Sequence, residues 1–196
     1  MQVVILCGGT GSRLMPLTKK NPKPMVVVNK IPFLLYLVDF FKKNNFKNFL
    51  FLVGYKKEKI INYFGDGSKL NIKIKYDYQP ETTNTAKRIY LSKSLFHKKF
   101  IIVYCDNFIV FNLKNYIRKS SLAKCQISFL LKEKNSGNFK IQKNSLIYSL
   151  QKNNNSNYAE LGFIISNKKY LFNKINNKNI SLNKYFNKFI EDNKYC

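Results

Sequence analysis

The 196-residue chain has no tryptophan, one histidine, four cysteines and only three arginines among its thirty-five basic residues. The lone His97, and the absence of any CxxC among Cys7, Cys105, Cys125 and Cys196, exclude the usual zinc ligand sets and give no disulfide framework. Four reduced thiols in a cytoplasmic protein are the expectation. Acidic residues are also scarce, ten in all, which leaves a net charge of +25. Phosphate polymers select basic surfaces, but base readers and phosphate clamps favour the planar fork of arginine. Here arginine occurs only at Arg13, Arg88 and Arg118, while lysine is spread among asparagines along nearly every segment. A general compositional preference for Lys, Asn, Ile, Phe and Tyr explains that pattern, so no nucleic-acid partner is predicted, although the charge can still draw in a polyphosphate. No window approaches the roughly 18 apolar residues of a membrane span. The first apolar run has no basic segment before it and is cut short by glycines, unlike a secretory signal. A soluble protein without a membrane partner is expected.

What the chain does have is 45% hydrophobic residues, with seventeen Phe and thirteen Tyr, enough to fill the core of one domain spanning residues 1–196. Residues 3–7 form an apolar, partly β-branched run that reads as a buried strand. Further strands are expected at 25–28, 49–53, 72–76 and 100–104, and helices at 57–64, 85–95 and in the segment opened by Pro32. In that segment Phe33, Leu34, Leu37, Val38 and Phe41 share one stripe, and Asn44 and Asn45 stop the helix. This alternation predicts an α/β fold, Rossmann-like, with a mixed, mostly parallel sheet and helices on both faces. After residue 125 the texture changes to strands at 126–131, 138–141, 145–150 and 161–165, a polar link at 153–157, and helical segments near 168–172 and 182–190. These strands are expected to extend the same sheet. Residues to about 110 then form one half of the domain and residues 111–196 the other.

The first strand runs into CGGTGSRL, residues 7–14. The loop lacks the GK[ST] ending of a P-loop and has Leu14 where a dinucleotide fingerprint needs its third glycine. What remains is a glycine loop containing Arg13, then Pro22-Lys23-Pro24-Met25. Glycines let backbone amides approach an anion closely, and Arg13 and Lys23 add positive charge at both ends of an extended loop.

In that context LCGGTGSRLMPLTKKNPKPM resembles the signature of the sugar-phosphate nucleotidylyltransferases, which join a nucleoside triphosphate to a sugar 1-phosphate and release pyrophosphate. The similarity continues through KIPFLLYLVDFF, FLVGYKKEKIINYFGDGSKLNIKIKY and YCDNF. The resemblance implies that Leu6, Gly8, Gly9 and Gly11 wrap the nucleotide and that Arg13 holds its leaving β- and γ-phosphates. It implies that Lys23 contacts the reacting phosphates and that Asp106 binds Mg²⁺. Such chemistry needs positioned groups and charge neutralisation, without a side-chain nucleophile. Gln79 stands where relatives place a base-reading residue, and Thr85 matches the threonine of a Gly-Thr-Ala/Gly-Gly element. For the acceptor, Lys152, Glu160 and Gly162 match the sugar-side elements, so the resemblance makes residues to about 110 a nucleotide-binding half and the rest an acceptor-binding half.

The chain also departs from the family pattern. Asn84 and Lys87 replace the two glycines of that element, Cys105 replaces the glycine before the metal aspartate, and Gln151 replaces the glutamate of a Glu-Lys pair. The Asp-(Ile/Val)-Gly-Thr-Pro segment that supplies a second metal ligand is not found: either the chain is shortened relative to the family, another carboxylate substitutes, with Glu160 the candidate because hard cations prefer oxygen, or Asp106 alone holds the metal. The resemblance therefore implies an enzyme that makes an NDP-sugar for surface-glycan synthesis, with GTP or CTP as the favoured donor. A non-sugar phosphorylated acceptor and a non-catalytic nucleotide-binding homologue stay open as alternatives. Self-association into a homo-oligomer stays open too.

Overall fold

The structure is a computed structural model. It describes residues 1–142, 145–153, 156–191 and 195, without the side chains of residues 152 and 153. In chain order the first half contains β1 (Gln2–Cys7), α1 (Leu17–Lys20), β2 (Val27–Val28), β3 (Ile31–Pro32), α2 (Phe33–Lys43), β4 (Asn48–Val53), α3 (Lys57–Phe64), β5 (Lys73–Tyr78), α4 (Thr85–Leu91) and β6 (Lys99–Tyr104). The second half contains α5 (Leu113–Leu122), β7 (Ile127–Glu133), β8 (Gly137–Gln142), β9 (Ser145–Asn153), β10 (Tyr158–Asn167), α6 (Lys168–Lys174) and α7 (Phe186–Ile190). Short 3-10 turns supplement these, including Ser12–Leu14, Lys23–Met25 and Leu182–Tyr185.

β1 is central because it is apolar on both faces. All six of its residues are buried, as fits a parallel strand covered above and below. It pairs in parallel with β4 and with β6, and β4 pairs in parallel with β5. Beyond β6 the direction reverses: β10 runs antiparallel to β6 and to β7, touches β8 at Tyr158↔Phe139, and β8 pairs antiparallel with β9. The expected strands after residue 125 thus join the same eight-stranded sheet.

Alternate side chains of the strands feed two cores. Val3, Ile5, Phe49, Phe51, Ile101 and Val103 pack with the buried stripe of α2, with Ile60 and Phe64 of α3, and with Leu113 of α5. On the other face Val4, Leu50, Leu52, Phe100 and Ile102 pack with Ala86 and Ile89 of α4, with α6, and with Phe186 and Phe189 of α7. Helices therefore cover both faces. Leu34, Leu37, Val38 and Phe41 are wholly buried, as their spacing predicts, and Pro32 sits just before the helix as its cap residue.

Several expectations are corrected. The strand expected at 25–28 is confined to Val27–Val28, which pair with Pro32 and Ile31 in a separate two-stranded ribbon and are 56% and 44% exposed, while Lys23–Met25 form a 3-10 turn. The helix expected over 85–95 ends at Leu91 and continues as a 3-10 turn, Lys93–Leu95. The helical segment expected near 182–190 is present, as a 3-10 turn followed by the short α7. α5 was not expected. Of the four cysteines, Cys7 and Cys105 are free and buried, whereas Cys125 is disulfide-bonded, contrary to the expectation of four thiols. Among the described residues no helix is long and apolar enough to cross a membrane.

Candidate active site

Strand order decides where the loops converge. From β1 the chain winds outward through β4 to β5, then returns to place β6 on the other side of β1. The carboxyl ends of β1 and β6 therefore flank a topological switch point, where open α/β sheets bind ligands. From those two ends emerge the glycine loop and Asp106.

Backbone geometry shapes the loop. Gly11 has φ +68, in the left-handed region that favours glycine, and a Cβ there would lie 2.9 Å from Lys23 Cβ and 3.0 Å from Thr18 Cγ2. Thr18 Oγ1 donates to the Gly11 carbonyl at 3.1 Å, which fastens the loop to the segment that leads to Lys23. Gly9 is open, with nothing within 4 Å of a Cβ position. Gly8 packs tightly: a Cβ on it would fall 2.2 Å from the guanidinium carbon of Arg88. Leu6 lies in β1 and is 6% exposed.

Charge gathers at the same place. Lys23 Nζ donates to Asp106 Oδ2 at 2.7 Å, an ion pair with both side chains partly open to solvent. Arg13, in the Ser12–Leu14 turn, is exposed and has no hydrogen-bond or ion-pair partner among the described residues. A cavity of about 180 Å³ beside the pair is lined by Leu14, Lys23, Val26, Val28, Phe33, Cys105 and Asp106.

Asp106 also borders a second cavity, of about 450 Å³, together with Asn107, Lys134, Asn138 and Glu160. Glu160 and Asn138 continue into a third, of about 190 Å³, walled by Tyr104, Phe139, Tyr148, Asn183 and Phe186. One carboxylate stands at the junction of these spaces and a second lines the way in. A bulge in β10 between Glu160 and Ile164 turns Glu160 inward. Gly162, at φ +83 within that bulge, donates its N–H to Glu160 Oε1, and the Asn107 side-chain amide donates to the Leu161 carbonyl at 3.1 Å. Burial pushes the Glu160 carboxyl up to about 7, against the pull of the Gly162 and Phe163 N–H groups and with help from the Asp106 charge. A different cavity, of about 260 Å³, opens at the opposite end of β1 and β6 among Met1, Lys99, Ser120 and Gln126, far from these groups.

A family model described as Nucleotidyl transferase matches residues 2–139. The chain belongs to that family, the sugar-phosphate nucleotidyltransferases. Over 155 residues this nucleotidyltransferase is 33% identical to the D-glycero-alpha-D-manno-heptose 1-phosphate guanylyltransferase of Campylobacter jejuni, covering 77% of this chain and 68% of the relative. It is 34% identical over 106 residues to the bifunctional protein GlmU of Methanococcus maripaludis, covering 54% of this chain and a quarter of that longer protein, 25%. Its fold superposes with a TM-score of 0.73 on HddC from Yersinia pseudotuberculosis in complex with GMP-PN, at 23% identity and over 91% of this chain and 82% of that one.

Within the nucleotidyltransferase, Gly8, Gly9, Gly11, Arg13, Lys23 and Asp106 all sit at the switch point, Glu160 lines the adjoining cavities, and Gly162 packs behind them against Tyr104 and Asn107. Two expected ligand contacts point elsewhere. The Gln79 side-chain amide donates to Asp77 Oδ2 at 3.1 Å. Thr85 Oγ1 accepts the N–H of Leu182 at 2.7 Å and so ties α4 to the Leu182–Tyr185 turn. The side chain of Lys152 lies outside the described residues. Reading the sequence also missed the residue that supports the loop from below. Arg88 is 2% exposed and donates to four main-chain carbonyls, of Val53, Gln79, Pro80 and Thr83. A charged residue in a helix gives no sequence signal of such a role, because its partners are groups that every residue carries.

Proposed function

We propose that this nucleotidyltransferase transfers the nucleotidyl group of a nucleoside triphosphate to a sugar 1-phosphate and releases pyrophosphate. The observation that carries the reading is the Lys23–Asp106 pair, set at the switch point between the glycine loop and the Glu160 cavity. A phosphate oxygen of the acceptor attacks the α-phosphorus, and the bond from that phosphorus to the bridging oxygen breaks as pyrophosphate leaves on the opposite side. No proton needs to move, and no side chain acts as nucleophile. Backbone N–H groups of Gly8, Gly9 and Gly11 face the triphosphate, and exposed Arg13 takes the leaving phosphates. Lys23, released from Asp106 as the ligands enter, neutralises charge that grows on the transferring group.

The donor set suits Mg²⁺ carried in with the triphosphate. Asp106 offers an exposed oxygen, and no group of three or more His, Cys, Asp or Glu residues is clustered among the described residues. Magnesium is commonly held by one or two carboxylates plus substrate phosphates, so Asp106, with Glu160 as the second candidate, would hold it. There it would supply charge neutralisation between nucleotide and acceptor phosphates. Guanylyl transfer is the favoured chemistry, supported by the guanylyltransferase relative and by the GMP-PN complex of the similarly folded protein. Cytidylyl transfer comes next, and the product would be an NDP-sugar of the kind used to build surface glycans.

The test is a pyrophosphate-release screen of the common triphosphates with Mg²⁺ against hexose, heptose and non-sugar phosphates. Turnover of one triphosphate with a sugar 1-phosphate, lost in Asp106→Ala, is expected. Binding without turnover across the whole panel would establish the non-catalytic reading, and turnover of a non-sugar phosphate alone would move the acceptor class.

A further inference from the structure

Arg88 combines two properties that rarely coincide: it carries a charge, and it is 2% exposed with no carboxylate in ion-pair contact among the described residues, the Asp77 charge acting on it from beyond that range. Burying a cation is unfavourable unless its N–H groups are satisfied. Four carbonyls do this. Nη1 donates to Val53 at 2.6 Å and Gln79 at 2.8 Å, and Nη2 to Pro80 at 2.9 Å and Thr83 at 3.1 Å. Val53 ends β4, and the other three belong to the turn that leaves β5 and enters α4. One planar group therefore fixes the carboxyl end of β4 and the whole 79–83 turn.

The upper side of that group faces the phosphate loop. A Cβ on Gly8 would meet the guanidinium at 2.2 to 2.6 Å, and a Cβ on Gly54 would lie 3.1 Å from Arg88 Nη2 and 2.5 Å from the Gly8 carbonyl oxygen. Gly8 and Gly54 are thus stacked against each other over the guanidinium, with Tyr55 N–H bonded to the Gly8 carbonyl at 3.3 Å. The height of the glycine loop above the sheet is set by the thickness of this stack. Lysine could not reproduce it, because a single ammonium has three donors at one point and lacks the flat fork that meets four carbonyls.

We infer that Arg88 is a positioning residue for the triphosphate: it sets Gly8 from beneath and holds the 79–83 turn, so the nucleotide site has its bound shape before ligand arrives. This rests on the nucleotidyl-transfer reading of the site. It differs from the roles of Arg13 and Lys23 because Arg88 is buried and covered by Gly8, so its guanidinium is closed off from the site. It acts on donor binding and leaves the acceptor side, across the sheet at β10, unaffected.

The experiment compares wild type with Arg88→Lys and Arg88→Met by hydrogen-exchange mass spectrometry without ligand, by nucleotide-induced shift of Tm, and by steady-state kinetics well below each variant's Tm. Phe189→Leu, a buried apolar change within α7, serves as a control for lost stability alone. Expected in both Arg88 variants are faster exchange confined to residues 8–14 and 79–84, and a rise of about tenfold in the triphosphate KM with the acceptor KM changed by less than about twofold. Arg88→Lys should be the milder. The inference is overturned if exchange quickens uniformly as in Phe189→Leu, if the triphosphate KM stays at the wild-type value, or if even Arg88→Lys does not fold. Should wild type turn over no triphosphate, the function proposed above fails while the exchange pattern and the nucleotide-induced shift still decide the role of Arg88.

Discussion

Replacing Glu160 with glutamine should make the protein more stable, by an amount that grows with pH. In the folded chain burial holds this carboxyl up at about 7, against an ordinary value of 4.5. Below pH 4.5 the group is protonated whether the chain is folded or not, and it contributes no pH dependence. As pH rises from 4.5 the unfolded chain ionises first, which favours unfolding, and the loss is complete once pH passes the folded value near 7. At about 1.4 kcal/mol for each tenfold step in proton affinity, the gap corresponds to about 3 kcal/mol above pH 8 and under about 1 kcal/mol at pH 5. The surrounding excess of lysine favours the carboxylate, so about 3 kcal/mol is the upper end. The glutamine side chain cannot ionise, and its amide oxygen can keep the Gly162 N–H bond that Glu160 Oε1 accepts. Urea denaturation of wild type and Glu160→Gln at pH 5, 6, 7 and 8 gives the difference directly, and the other titrating groups, shared by both, cancel. A stability difference that stays flat from pH 5 to 8 would refute the reasoning, since it would mean that Glu160 ionises in the fold as it does in water.

Asp106→Asn removes the charge of the residue paired with Lys23 and should lower Mg²⁺-dependent pyrophosphate release by about a hundredfold or more. Because Asp106 is exposed, the Tm of this variant should stay near that of wild type. Gly137→Ala should destabilise by about 2 kcal/mol, because the added Cβ would fall 2.1 Å from the Tyr158 carbonyl oxygen where β8 meets β10; chemical denaturation measures it. Phe189→Ala empties a fully buried position of the core under α7 and should cost about 3 to 5 kcal/mol, seen as a lower urea midpoint with an unchanged slope.

The central strands β1, β4 and β6 were legible because each carries an unbroken apolar run buried on both faces, as in residues 49–53 and 100–103. The strand at Val27–Val28 was legible as a strand, but its place in an exposed ribbon outside the main sheet was not. A run of apolar residues shows that a segment can be buried, and only tertiary placement shows that it is not. α5 escaped notice because LKNYIRKSSL carries few apolar residues, and the helix packs through Leu113 and, less deeply, Tyr116 and Ile117. At the site, Asp106 and Lys23 were singled out through the resemblance of YCDNF and of the PKPM element to the family motifs, since a charged residue at a strand end or between prolines has no distinct signal of its own. Arg88 was opaque: charge argues for the surface, and its carbonyl partners leave no trace in side-chain identity. The side-chain contacts of Gln79 with Asp77 and of Thr85 with Leu182 were equally hidden, since both depend on residues brought close by the fold.

The central place of β1 sets a timetable for the chain as it is made. β1 leaves the ribosome before either of its neighbours, whose residues are 48–53 on one side and 99–104 on the other. Until residue 53 has emerged it has no parallel partner, and until residue 104 has emerged one edge stays unpaired. Six apolar-rich residues with free backbone donors and acceptors must therefore wait through the synthesis of more than half the chain. Unpaired strand edges of this kind invite association with other chains, and long-range parallel pairing is slow to form. The architecture that brings Gly8 beside Asp106 thus makes the growing chain dependent on shelter, so chaperone supply and translation speed should govern the yield of folded protein more strongly than its final stability does.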